Sequence, residues 1–229
     1  MDNEILIEVK GVNRIFPVPG GEFQALTDIN VNIPKGNLAI LKGRSGSGKT
    51  TLMNIIGALD NPTSGSVIID SRTVGRMSDK ERENLRRQEM GFVFQAVSLI
   101  PTMNAFQNVE FSMRLAGIRP GKDRDKRVED CLKLVGLGNR MHHMPAEMSG
   151  GEQQRVAIAR AIAHHPKIIL ADEPTAELDS AMAAQVTKLF QEMTRREGIT
   201  ILMTTHDVGL MDAGDMIIEL EAGKQVVQE

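Results

Sequence analysis

The chain has 229 residues, 41% of them apolar, enough for one large domain with a full core. A net charge of −3, 3% aromatics and the absence of Trp and Tyr leave neither a basic surface for a phosphate backbone nor stacking platforms for single strands, so no nucleic-acid partner is expected. The lone Cys131 can form no internal disulfide, which suits a reducing compartment. No basic-then-apolar leader opens the chain, and no run reaches the roughly 18 apolar residues that a bilayer span needs.

Along the chain, the first forty or so residues alternate as strands do (Ile5, Ile7 and Val9, then Ala25 to Ile33, then Leu38 to Leu41), with a break at Pro17 to Glu22 that predicts a hairpin. A Gly-rich loop follows, then a helix from about Thr50, a turn at Asn61 to Gly65, a strand at Val67 to Asp70, a charged helix over Ser78 to Gln88, and a short buried strand at Met90 to Phe94. From Thr102 to Met144 the pattern is helical and charged, broken by Gly117, Pro120 and Gly121. Helix (Gly151 to His164), strand (Ile168 to Ala171), helix (Ala181 to Glu197) and strand (Thr200 to Thr204) then alternate as in parallel βαβ units, before two closing strands at Met216 to Glu221 and Lys224 to Val227. The prediction is a single α/β domain over residues 1–229 with a mainly parallel sheet. An antiparallel β part opens it, and a helical subdomain over about 96–148 interrupts a core formed by 1–95 and 149–229.

Gly43-Arg44-Ser45-Gly46-Ser47-Gly48-Lys49-Thr50-Thr51 lies between the apolar run Leu38 to Leu41 and a helix, the setting in which G-x-x-x-x-G-K-T is a phosphate-binding P-loop. Glycines let successive amides turn inward to phosphate oxygens, and the helix start adds its positive end. Lys49 then reaches the β- and γ-phosphates, and the Thr50 hydroxyl suits Mg²⁺. Downstream, the apolar strand Ile168 to Ala171 ends in Asp172 and Glu173, acids that an open parallel sheet carries to the same edge. Asp172 suits the outer sphere of Mg²⁺, and Glu173 can orient and deprotonate the attacking water. The segment Met148-Ser149-Gly150-Gly151-Glu152 makes a second anion-type helix start without a lysine. Two such sites about a hundred residues apart serve one nucleotide from opposite sides if two copies of the chain meet.

With a glutamine after a buried strand at Phe94-Gln95, the run Glu177-Leu178-Asp179 and His206, these motifs stand in the order found in the nucleotide-binding subunit of ABC transporters, which the chain resembles over nearly all its length. The resemblance implies a P-loop NTPase core and a head-to-tail pair of cassettes, each ATP lying between the P-loop of one and Ser149, Gly150, Gly151 and Glu152 of the other. It further implies that Gln95 touches Mg²⁺ or the water, that His206 bonds the γ-phosphate, that Asp179 works across the dimer or caps the helix from Ser180, and that Phe16 stacks on adenine where Tyr is commoner. Arg44 stands where proline is frequent, Met148 where leucine is, Glu152 where glutamine is, and Ala176-Glu177 where Gly-Asn is. His142, His143, His164, His165 and Cys131 are expected to be structural.

The stretches "LDNPTSGSVIID" and "GFVFQAVSLIPTMNAFQNVEF" look most like cassettes of the macrolide-export, lipoprotein-release and antimicrobial-peptide-resistance type. By that resemblance the cassette works at the cytoplasmic face of a bacterial inner membrane, held by an integral permease that has a large extracytoplasmic domain and docks a cytoplasmic helix near Ala96 to Phe111, Leu99 and Phe106 included. A regulatory cassette of cell-division type, a DNA-repair or chromosome ATPase, and an iron-sulfur assembly scaffold remain as alternatives at this point.

Overall fold

The computed structural model describes residues 4–205 and 208–226. Alternating apolar and polar side chains fold the start of the chain into a hairpin. Strand β1 (Ile5–Val18) pairs antiparallel with β2 (Gly21–Pro34), and the reversal passes through Gly20 at φ 90°, a conformation glycine adopts without a Cβ clash. Strand β3 (Leu38–Lys42) leaves for a second sheet. Strand β4 (Ser64–Ile69) returns to pair with β1, and the two-residue β5 (Arg72–Thr73) pairs with β4, giving the antiparallel order β2-β1-β4-β5.

The second sheet has the order β10-β9-β3-β8-β7-β6, built from β6 (Met90–Val93), β7 (Ile168–Ala171), β8 (Thr200–Thr204), β9 (Met216–Glu221) and β10 (Lys224–Val226). Its strands run parallel except for β10. Strands β7 and β8 are buried along their whole length, as mainly apolar runs in a parallel sheet covered on both faces should be, with Thr200 and Thr204 at the two ends of β8. Successive residues of β3 point to opposite faces: Leu38 and Ile40 join one core cluster, Ala39 and Leu41 the other.

The first cluster joins the sheet to the helices α3 (Ala105–Leu115), α4 (Lys122–Leu134), α5 (Gly150–Ile162) and α6 (Ser180–Glu197). The second joins the sheet to the hairpin and to α1 (Lys49–Ile56), with Leu85 of α2 (Asp79–Glu89) at its side. A short α7 (Val208–Met211) precedes β9. Among the described residues no strand lies between β6 and β7, where the helical stretch was expected. Cys131 sits fully buried in the first cluster, and burial pushes its thiol up to about 11, the state of a packed side chain.

A charged clamp ties the sheets together away from the glycine loop. The Arg72 guanidinium donates to both Glu89 carboxylate oxygens at 2.8 Å, and Lys167 Nζ reaches Asp70 Oδ2 at 2.8 Å and Glu89 Oε2 at 3.0 Å. At the opposite edge, the parallel registers Leu41 with Thr204 and Ala171 with Met203 bring the carboxyl ends of β3, β8 and β7 side by side. The glycine loop and the two acids therefore leave the sheet together.

Candidate nucleotide-binding site

The loop after β3 has the shape that its glycines allow. A Cβ on Gly43 would meet Ser47 Oγ and Leu220 O at 2.4 Å each. Gly48, at φ 101°, would bring one to 2.7 Å from Leu26 Cδ2. Helix α1 starts at Lys49 with no side-chain cap, so its first amides have no side chain on them. Lys49 is 8% exposed and curls over the loop, its Nζ donating to Gly43 O at 2.7 Å and Arg44 O at 3.1 Å. Buried at the loop's centre, the Ser47 hydroxyl makes no hydrogen bond to the described residues. Ser47 does not line the cavity at this loop; the uncapped amides at the start of α1 suit an anion in the loop.

The acids face this loop. Thr50 Oγ1 donates to Asp172 Oδ2 at 2.9 Å. Asp172 Oδ1 accepts from Thr204 Oγ1 at 2.7 Å, and the Glu173 backbone N–H donates to the same Thr204 oxygen at 2.8 Å. Glu173 itself has φ 47°, uncommon for a residue with a Cβ. A cavity of about 530 Å³ brings together Gly43, Arg44, Ser45, Gly46, Gly48, Lys49, Thr50, Thr51, Gln95, Asp172 and Glu173, a volume suited to a nucleotide-sized ligand. Among the described residues no group of three or more His, Cys, Asp or Glu side chains is placed to hold a metal ion. The hydroxyl of Thr50 and the carboxylate of Asp172 form an oxygen pair of the kind Mg²⁺ uses when phosphates and waters complete its shell.

Several of the expected residues do not line this cavity. The aromatic residue lining the cavity is Phe23, 54% exposed, and not its cross-strand partner Phe16. The Arg14 guanidinium lies 4.3 Å from the Phe16 ring centroid while it holds Asp60 through two hydrogen bonds of 2.9 and 2.8 Å. Ser149, Gly150, Gly151, Glu152 and Asp179 do not line the cavity of their own chain. Ser149 caps α5 in a closed box: Ser149 Oγ accepts the Glu152 N–H at 3.3 Å, and the Glu152 carboxylate accepts the Ser149 N–H at 2.9 Å. That backbone bond, aided by the nearby Arg140 charge, holds the Glu152 carboxyl below its usual range.

The α5 start packs closely on the loop after the acids, for a Cβ on Gly151 would lie 3.1 Å from Glu177 O. Gln154 Nε2 donates to Pro174 O at 3.2 Å. Asp179 caps α6, its carboxylate accepting the Met182 N–H at 2.9 Å. His206 lies outside the described residues. Sequence reasoning missed Phe23 and Ala25, which line the cavity, and Thr204, which holds the acids. Phe23 is marked only by alternation around a turn, and Thr204 only as the polar end of an apolar strand.

Comparison with known proteins adds three findings. The family model described as "ABC transporter" matches residues 26–176. The "Uncharacterized ABC transporter ATP-binding protein MJ0796" of Methanocaldococcus jannaschii is 41% identical over 222 residues, covering 96% of this chain and 94% of its own length. The cassette MJ0796, solved as a dimer in a post-hydrolysis state bound to ADP and Pi, matches with a TM-score of 0.93 at 40% identity and covers 98% of both chains. The "Macrolide export ATP-binding/permease protein MacB" of Wolinella succinogenes is 42% identical over 219 residues, which are 96% of this chain and 34% of that protein.

Proposed function

Because the chain belongs to the ABC transporter family as an ATP-binding, ATP-hydrolysing cassette, we propose that two copies pair head to tail around two Mg-ATP and drive a membrane permease. One observation carries the pairing: the P-loop side lines a cavity within one chain, while Ser149 and Gly150 stay exposed and outside it. A second copy would lay that helix start on the triphosphate, and the dimeric MJ0796 bound to ADP and Pi supports this arrangement.

In this reading the amides of the glycine loop and Lys49 hold the phosphates. Asp172 and Thr50 hold Mg²⁺, which when bound supplies charge neutralisation at the β- and γ-phosphates. Glu173 takes a proton from the attacking water, with Gln95 also on the cavity wall and His206 on the γ-phosphate. The base would lie at the hairpin end where Phe23 lines the cavity, with Phe16 opposite it on β1 as the second candidate ring. Asp179 contacts the other cassette in addition to capping α6. The whole chain acts as one cassette, with about 96–148 as its helical arm.

Among the described residues no helix is long and apolar enough to cross a membrane. MacB, by its name, joins an ATP-binding part to a permease, and this chain matches a third of that protein. We therefore place the cassette at the cytoplasmic face of a bacterial inner membrane, held by an integral permease with a large extracytoplasmic domain that exports peptide, macrolide or lipoprotein. The permease would dock near Phe94, 41% exposed, and the segment from Ala96 to Phe111. Leu99 and Phe106 pack partly into the core, so Asp at either would also loosen the fold.

Glu173→Gln tests the chemistry. Hydrolysis should fall about 10²- to 10⁴-fold while ATP is still bound and the dimer accumulates in gel filtration. Hydrolysis at the parent rate would remove Glu173 as the base.

A further inference from the structure

Thr204 ends β8 with no exposed surface and stands beneath the acid pair. A hydroxyl has one hydrogen to donate and lone pairs to accept. This one gives its hydrogen to Asp172 Oδ1 at 2.7 Å and accepts the Glu173 backbone N–H at 2.8 Å, so a single buried oxygen touches both acids. With Oδ1 tied to the sheet, Asp172 turns its other oxygen, Oδ2, to Thr50 in the cavity wall. With its amide tied to the same point, Glu173 keeps the φ of 47° that directs the chain away from β7. The sheet order brings this about, since β8 lies beside β7 and the three residues leave the same edge.

We propose that Thr204 is a positioning residue for ATP hydrolysis: its hydroxyl aims the Asp172 carboxylate at the metal and phosphate site and fixes the backbone from which Glu173 reaches the attacking water. This rests on the hydrolysis reading above. Valine has nearly the shape of threonine without either hydrogen bond, and would leave a buried N–H facing carbon. Serine keeps the oxygen and loses only a methyl group.

The experiment compares the full chain with Thr204→Val, Thr204→Ser and Glu173→Gln. It measures ATPase rate against ATP and against Mg²⁺, ATP binding, and thermal unfolding. Thr204→Val should lower kcat about tenfold or more, raise the Mg²⁺ concentration for half-maximal rate several-fold, and leave KM for ATP within about twofold, while Thr204→Ser recovers most of kcat. Parent kcat and Mg²⁺ requirement in Thr204→Val, or equal losses in Val and Ser variants that are folded, would overturn the proposal. Should the Val variant not fold, Thr204→Ala against Thr204→Ser gives the same contrast. An inactive Glu173→Gln beside an unimpaired Thr204→Val sinks only this inference. An active Glu173→Gln sinks the base assignment, and the Mg²⁺ dependence of Thr204→Val still judges the hold on Asp172.

Discussion

The two helix starts assigned to the nucleotide are built in opposite ways. Helix α1 begins after Gly48 with no side chain on its first amides, and the loop before it needs glycine because a Cβ at Gly43 or Gly48 would strike its neighbours. Helix α5 begins with both members of a capping box in place and an exposed Gly150. The first is left without a side-chain cap and open to a ligand; the second is complete as a helix and offers an outward face. Substitutions at the two ends should therefore fail differently.

Of the changes at these two helix starts, Gly150→Asp gives the larger effect. A carboxylate in the first turn of α5 suits the helix end, although its Cβ would lie 3.7 Å from Glu177 Oε2, and it repels a triphosphate laid there by another copy. Turnover should drop about 10²-fold with ATP binding to the single chain unchanged. A parallel loss of ATP binding would mean that the α5 start belongs to its own chain's cavity. Gly48→Ala does the reverse, since a Cβ at φ 101° meets Leu26 Cδ2 at 2.7 Å and distorts the cradle. ATP should bind about tenfold more weakly in calorimetry, and an unchanged affinity would show that the loop tolerates the side chain.

Smaller effects sharpen the picture at the rim. Phe16→Ala and Phe23→Ala should each weaken ATP binding a few-fold, as a lost ring contact of about 1 kcal/mol does. No change in both would take the base away from this end of the hairpin.

The smallest effect lies far from the nucleotide. Hydrogen bonds from Arg72 and then Lys167 hold the Glu89 carboxyl below its usual 4.5, and Lys167 holds Asp70 below 3.8. Folded values below unfolded ones mean stability that is present above about 4.5 and lost as pH falls through the lowered values. Melting temperature should therefore decline on acidification below about pH 4.5, and Glu89→Gln should flatten that decline. An equal slope in the variant would clear the clamp of this role.

Much of this was legible in the sequence. Strands β7 and β8 have the predicted limits, because burial on both faces leaves short apolar runs, Ile168 to Ala171 and Ile201 to Met203, the second bounded by the hydrogen-bonding threonines Thr200 and Thr204. The glycine loop is legible because so few side chains fit its backbone. Strand β5 has two residues and no period to read. The Thr204 contacts depend on sheet order, which puts it beside acids 32 and 31 positions away, and no local pattern carries that. Phe16 and Phe23 are equivalent in alternation, and only the folded hairpin shows which one lines the cavity.

Mixing two inactive variants tests the shared site most directly. Lys49→Ala spoils the cradle and Gly150→Asp spoils the outward helix start. A mixed pair that meets head to tail holds one doubly spoiled site and one intact site. Equal mixing should restore up to about a quarter of the parent ATPase rate. A mixture as inactive as its two components would contradict the claim that each ATP is held between two copies.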